Sequence, residues 1–303
     1  MGRTLSGKLN HLAFRILPKH MYIRLLYRLK CKGSLNLKNP TTFREKMFWL
    51  LDYYDRKQLD VIKQCYDKYK VRDYVEQKVG TKYLVGIVGR YFTPEQIDFE
   101  TLPERYVIKI SQSCGMNIIV NDKSMVNPDE MRKTLSNWMT IAKRRTVELD
   151  NFHYSDDVSI IVENYLEPSG KEPLNDYKIY CINGKVEFTR VAVNPIDLTG
   201  KRKKEFPYNT YDRGWNYIKF ETGNEHHSDP SIVVKKPDNL EEMYWVAEKL
   251  SEDFPFARID LYNYDNSIYF GEITWFPGSY TNKMYPEEWD TILGDKLILP
   301  NDT

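Results

Sequence analysis

The chain has 303 residues, 41% hydrophobic and 29% charged, with a formal net charge of +1. That profile excludes a disordered chain and fits one large domain or two to three closely packed lobes. No apolar run reaches the roughly 20 residues that span a bilayer, no uninterrupted apolar signal core opens the chain, and the scattered Cys31, Cys65, Cys114 and Cys181 form no zinc or disulfide pattern, so a cytoplasmic protein is expected.

The near-neutral total hides an asymmetry. Residues 1–38 carry nine Lys and Arg and no acid, which leaves 35 bases against 43 acids, a net of −8, over the remainder. The same arm holds Leu9, Leu12, Phe14, Ile16, Leu17, Met21, Ile23, Leu25, Leu26 and Leu29. A basic amphipathic arm either lies on an anionic membrane surface or packs its apolar side on the body with its cations solvated. Asn39-Pro40-Thr41-Thr42 ends the arm. Phe43 to Gln64 reads as a helix with Phe43, Met47, Leu50 and Leu51 on one stripe, and Asp67 to Val79 as a second, closed by Gly80. Residues 83–91 read as a strand.

From Tyr106 the texture becomes β. Tyr106 to Ile110 is a strand, Ser111 to Asn117 a small polar loop, Ile118 to Val120 the return strand, and Pro128 to Leu149 a helix. Ser159 to Leu166 is a further strand. Asp176 to Ile182 and Val186 to Val193 form a hairpin around Asn183-Gly184. Residues 194–237 are polar and irregular, Leu240 to Phe254 is helical, and a last hairpin runs Ala257 to Tyr264 and Ser267 to Trp275 around Asp265-Asn266. The order argues an α+β fold with mainly antiparallel sheets.

Three places carry candidate chemistry. Lys109 sits in an apolar strand just before the small-residue loop, where backbone N–H groups and a lysine suit phosphate oxygens; an edge-strand lysine facing water is the alternative. Asp176 and Lys178 share one strand face by the period of 2, as a site pair or a structural ion pair. In the last hairpin Arg258, Asp260 and Tyr262 share one face and Glu272 and Thr274 another strand's face. Asp260 and Glu272 meet across the hairpin if the register allows. Two such carboxylates repel unless a cation lies between them, and oxygen ligands suit Mg²⁺; a salt bridge from Arg258 to one acid is the plainer reading. His226-His227 with Asp229 reads as solvated loop. No P-loop, nucleophile elbow or basic nucleic-acid pattern is present.

The order of these elements resembles the ATP-grasp superfamily, and within it the TupA-like family named for teichuronopeptide synthesis. The resemblance rests on Asp67-Lys-Tyr-Lys-Val-Arg-Asp-Tyr-Val75, Ile97-Asp-Phe-Glu-Thr-Leu-Pro103, Asp176-Tyr-Lys178 with Asn183-Gly184, Tyr211-Asp212 with Trp215-Asn216, Phe254-Pro-Phe-Ala-Arg-Ile-Asp-Leu-Tyr262, and Phe270-Gly-Glu-Ile-Thr274 with Pro277-Gly278-Ser279, over roughly residues 40–290. It implies an ATP-grasp fold with a reduced, helical N-terminal region: an arm at 1–38, a helical region at 39–104, a nucleotide-binding lobe at about 105–167 and a metal-binding lobe at about 168–303. It also implies roles. Lys68 and Lys109 would hold ATP phosphates, and the loop of Ser113, Cys114, Gly115 and Asn117 would close over them. The backbone of Glu163, Asn164, Tyr165 and Leu166 would meet adenine, with Glu167 on the ribose. Lys178 and Arg258 would face the transferred phosphate, and Asp260, Glu272 and Thr274 would hold Mg²⁺. Thr274 stands where the superfamily has Asn, and Ser-Gln-Ser-Cys-Gly replaces a glycine-richer loop. The implied activity is ADP-forming carboxylate–amine ligation in cell-surface polysaccharide synthesis, with a uronic acid or amino acid and an amine as substrates. A sugar-transferring enzyme lacks support from any Asp-x-Asp; a kinase on the same fold and a non-catalytic scaffold stay open.

Overall fold

A computed structural model describes residues 13, 16–57, 59–144, 157–166, 175–195, 203–223, 227–264 and 266–301. Among the described residues, three antiparallel sheets organise the fold. The small one holds β1 (Ile87–Tyr91), β2 (Tyr106–Ile110), β3 (Asn117–Val120) and β4 (Ile160–Asn164) in the order β1-β4-β2-β3. The large one holds β5 (Asp176–Ile182), β6 (Lys185–Ala192), β7 (Tyr208–Asp212), β8 (Tyr217–Ile218), β10 (Phe256–Tyr264) and β11 (Ser267–Thr274) in the order β11-β10-β5-β6-β7-β8. The third is a pair: β9 (Glu221–Thr222), which follows β8, pairs with β12 (Met284–Tyr285), which follows β11.

Each main sheet owns a core. In β2, alternation buries Tyr106, Ile108 and Ile110 and leaves Val107 and Lys109 on the opposite face. The buried row packs on Leu135, Met139 and Ala142 of α5 (Pro128–Arg144). Ile97, Phe99 and Leu102 join that core. The large sheet lays Tyr177, Ile179, Ile259 and Leu261 against Met243, Val246, Ala247 and Leu250 of α6 (Leu240–Ser251). The helices α1 (Lys19–Cys31), α2 (Phe43–Lys57), α3 (Asp60–Tyr66) and α4 (Val71–Val79) close the same core. The first long helix expected from sequence is thus two, and the second begins at Val71, because Asp67 accepts the N–H groups of Tyr69 and Lys70 in the preceding turn.

The arm helix α1 packs on the body. Tyr22, Ile23, Leu26 and Tyr27 are buried, the Tyr27 ring meets Phe48 edge-on at 5.0 Å, and Lys19 pairs with Asp55. No helix among the described residues is long and apolar enough to cross a membrane.

The stretch expected to be irregular contains an interior strand. Tyr208, Asn209, Thr210 and Tyr211 are all buried, so no alternation marks β7 in the sequence. Asn209 is tolerated there because its amide donates to the carbonyls of Asp229 and Ile232. The Tyr211 and Trp215 rings stack at 4.6 Å, and Trp215 Nε1 donates to the Val234 carbonyl, so this motif pair fixes the segment ahead of α6. At Asn183-Gly184 both residues have positive φ, 50° and 71°, as the two-residue turn requires.

The C-terminal helix α7 (Trp289–Lys296) has no counterpart in the sequence reading. It locks the start of α2: Asp290 accepts the Arg44 backbone N–H at 2.9 Å and its Nε at 2.8 Å. Lys46 Nζ donates to the Gly294 and Leu297 carbonyls at 2.7 and 2.8 Å. Asp290→Ala removes a cap and an ion pair together and is expected to cost about 2 kcal/mol, read as a lower urea midpoint with an unchanged slope. An unchanged midpoint would show that α7 docks without this contact.

Candidate active site

Neighbouring strands of the large sheet set one charged row on one face. Glu272 stands opposite Asp260, Asp260 opposite Lys178, and Lys178 opposite Arg190. The β10–β11 register slips between Asp260 and Leu261. The slip falls at Gly271, where a Cβ would come within 3.0 Å of the Asp260 carbonyl. A glycine in the bulge therefore lets Glu272 return to the face of Asp260.

Arg258 lies at the centre. Its Nε donates to Asp260 Oδ1 at 2.6 Å, and its Nη2 donates to Asp260 Oδ2 at 2.8 Å, Glu272 Oε1 at 2.7 Å and Thr274 Oγ1 at 3.1 Å. Lys178 Nζ bridges Asp176 Oδ2 and Asp260 Oδ2, both at 2.7 Å. Arg258 therefore joins both acids of the hairpin rather than one. Burial disfavours the Lys178 and Arg258 cations, but their acids outweigh it and hold both above their usual values. Burial likewise opposes the Glu272 anion, yet Arg258, Lys178 and Lys68 bring it down to about 2. At Asp260 burial wins over Arg258 and Lys178 and the shift is upward. Both of its oxygens nonetheless face N–H donors, an arrangement that suits the carboxylate. The Tyr262 hydroxyl is pushed up by burial and then by Asp176.

Mg²⁺ prefers six oxygens and is commonly held by one or two carboxylates plus phosphate oxygens and water. No cluster of three or more His, Cys, Asp or Glu that could cage a metal occurs among the described residues. Asp260 and Glu272 fit the shared arrangement. The Asp260 side chain is 6% exposed and that of Glu272 is 45% exposed, so Glu272 offers the open side of the pair. The Thr274 hydroxyl donates to Glu272 Oε1 at 3.0 Å, so it braces that carboxylate.

The small sheet presents Lys109 on its non-core face, where Nζ meets Glu163 Oε2 at 2.5 Å. Glu163, expected to contribute backbone, thus also supplies the carboxylate that holds Lys109. Asn164 N–H donates to the Gly86 carbonyl at 2.9 Å, Tyr165 and Leu166 follow half-buried, and Glu167 lies outside the described residues. The small polar loop 111–117 is pinned over its first half, and Ser113 is the member of the 113–117 segment expected to close as a flap that lies in the pinned part. Ser111, Gln112 and Ser113 are buried, Ser111 exchanges two hydrogen bonds with Ser159, and Ser113 Oγ donates to the Ile110 carbonyl. Cys114 and Gly115 form the exposed tip, with Gly115 at φ 70°, and exposed Asn117 opens β3.

The two halves meet at Lys68. Its ammonium donates to the Ser113 carbonyl, and burial lowers its pKa against the pull of Glu272. A cavity of about 100 Å³ is lined by Cys65, Lys68, Ser113, Cys114, Glu272 and Thr274, so the loop, Lys68 and one metal-suited acid share one space. A larger hollow of about 510 Å³ beside Asn175, Tyr177 and Asn263 lies on the opposite sheet face from Lys178. Sequence reasoning missed Arg190, whose guanidinium lies 4.9 Å from the Tyr208 ring and 5.5 Å from that of Phe220 beside Lys178. Its place two residues before Ala192, paired with Asp176, is recoverable only once the hairpin register is known.

The family model for TupA-like ATP-grasp proteins matches residues 45–298. No curated protein matches the chain. Among solved structures the fold is similar to an L-amino acid ligase from Bacillus licheniformis, at 14% identity and TM-score 0.52, over 92% of this chain and 62% of that one. It is also similar to the D-alanine–D-alanine ligase of Helicobacter pylori (15%, TM-score 0.41, 78% and 61%) and to the D-cycloserine synthetase DcsG (12%, TM-score 0.44, 91% and 95%). The chain spans less than two thirds of the length of the first of these. At such identities the likeness is one of fold.

Arg258→Met strips the shared cation from two facing acids. Losing one partner of a buried ionic cluster costs about 3–5 kcal/mol, so urea unfolding should shift to a much lower midpoint. A variant as stable as the parent would show that Arg258 does not hold the row together.

Proposed function

The chain belongs to the TupA-like ATP-grasp family, and from that premise we propose that it is an ATP- and Mg²⁺-dependent carboxylate–amine ligase. One observation carries the reading: Lys68 and the pinned loop share a cavity with Glu272, the outer member of a row that continues through Asp260 to Lys178. The row supplies acids for a metal and cations for phosphate in one place, which suits phosphoryl transfer.

In this reading Lys68 and Lys109 hold phosphate oxygens, and Asp260 and Glu272 hold Mg²⁺, with Thr274 bracing Glu272. When bound, the metal neutralises charge on the phosphates. Lys178 and Arg258 face the transferred group, each giving up part of its contact with an acid. A substrate carboxylate oxygen attacks the terminal phosphorus, and ADP leaves with the electron pair of the broken P–O bond. The amine nitrogen then attacks the acyl-phosphate carbon, phosphate departs with the C–O electrons, and the nitrogen loses a proton. No side chain becomes covalent; the protein positions and neutralises. Backbone of Glu163 to Leu166 meets adenine. The setting is cytoplasmic synthesis of cell-surface polysaccharide, with a uronic acid or amino acid as carboxylate, by analogy with the family.

We propose separately that α1, packed on the body through one face, meets an anionic membrane surface with its other. The outer side of α1 carries Met21, Arg24, Arg28 and Leu29, and Lys32 follows its end, all exposed and away from its buried face. The acidic remainder of the chain leaves this arm as the basic end.

Purified protein given ATP, Mg²⁺, a panel of uronic and amino acids, and hydroxylamine should yield ADP, inorganic phosphate and a hydroxamate. Asp260→Asn and Glu272→Gln should lose all three products while still binding adenosine. A stable phosphorylated acceptor without hydroxamate would make the enzyme a kinase, and ATP left untouched while a sugar donor is cleaved would overturn the reading.

For the surface, the protein should float with phosphatidylserine-rich vesicles at low salt and be released at high salt, because the attraction is screened. Absence of flotation at low salt would leave α1 as a packing helix alone.

A further inference from the structure

The turn 67–70 and the loop 111–113 are joined at three points. Lys68 N–H donates to the Ser111 carbonyl at 2.9 Å, Lys68 Nζ donates to the Ser113 carbonyl, and Gln112 Nε2 donates to Asp67 Oδ2 at 3.0 Å. Asp67 is 1% exposed and Gln112 2%. The other oxygen of Asp67 accepts the N–H groups of Tyr69 and Lys70 at 2.8 and 3.1 Å. One buried carboxylate therefore fixes the turn that carries Lys68 with one oxygen and the phosphate loop with the other.

The surroundings brace this contact from outside. Gln112 Nε2 also donates to the Asp157 carbonyl at 3.3 Å. The Asp157 carboxylate pairs with Lys70 at 3.2 Å and Arg90 at 3.3 Å, and the Arg90 guanidinium lies 4.1 Å from the Tyr69 ring. The device also answers the loop's composition. A loop with Gly115 as its one glycine cannot fold freely over a ligand, and here its first half is held in place before any ligand arrives.

We propose that Asp67 is a positioning residue for the nucleotide phosphates: by gripping Gln112 and the 67–70 turn it sets the Lys68 ammonium under the loop, ready to exchange the Ser113 carbonyl for a phosphate oxygen. This rests on the nucleotide reading above and adds to it the group that preorganises the site. An asparagine at position 67 can still cap the turn through its oxygen. Its amide N–H₂, however, would face the N–H₂ of Gln112, so the grip on the loop is lost while the helix start is kept.

The test is calorimetry on the full chain with ATP and with adenosine, both with Mg²⁺. Asp67→Asn should weaken ATP about tenfold, the loss expected for one hydrogen bond to a charged group, and leave adenosine unchanged. Gln112→Met should give the same selective loss, and the double variant no more than either alone, since both remove one contact. In a Lys68→Met background, Asp67→Asn should have no further effect on ATP. Equal losses for ATP and adenosine, additive losses in the double variant, or an undiminished loss without Lys68 would each reduce Asp67 to a helix cap and overturn the proposal. A parent chain that binds ATP as tightly as Asp67→Asn does would overturn it alone. A parent that binds neither ligand would overturn the nucleotide reading with it.

Discussion

A guanidinium shared between two carboxylates decides how the large sheet can be built. Asp260 and Glu272 stand opposite each other on paired strands, at a spacing where like charges destabilise a sheet. Arg258 cancels that repulsion by donating to both, and Lys178 does the same between Asp260 and Asp176. Along the contacts from Glu272 through Arg258, Asp260 and Lys178 to Asp176 the charges alternate in sign, so the inner ions each have partners on more than one side. That is the condition under which buried ions are tolerated. In the proposed function the same contacts are convertible: the cations that neutralise these acids are the ones assigned to phosphate, and the acids are the ones assigned to a metal.

The separation into two cores follows from the same need. One core lies behind the small sheet with α5 and the other behind the large sheet with α6 and the N-terminal helices. Each sheet buries its apolar face and turns Lys109 or the charged row the other way. Lys68, from the helical region, lines one small cavity with Ser113 and Cys114 of the small-sheet loop and with Glu272 and Thr274 of the large sheet. The N-terminal helices are therefore more than packing, because the turn between α3 and α4 delivers a cation to the site.

Distant segments hold this frame. α7 caps α2 through Asp290 and receives Lys46, tying the C-terminal end of the chain to the helices that precede the sheets. Tyr211 and Trp215 clamp the segment ahead of α6 at Val234. Both residues stand in one of the segments that carry the family resemblance, and their contacts are architectural.

The sequence by itself determined the elements whose pattern is local. Period-2 alternation placed Lys109 off the apolar face of β2, Asn-Gly set the β5–β6 turn, and the spacing within each strand put Arg258 with Asp260 and Glu272 with Thr274. The order of those pieces sufficed to identify the fold family. Tertiary structure alone decided everything that depends on register or on long-range partners. The bulge at Gly271 brings Glu272 opposite Asp260, since a one-residue slip would send it to the other face. β7 escaped because burial on both faces erases alternation, and α7 because its capping partner lies some 246 residues away. The pairing of Lys109 with Glu163 and of Asp67 with Gln112 was equally hidden. A hydrogen bond between segments far apart leaves no periodicity in either one, and only the folded chain shows which acid holds which base.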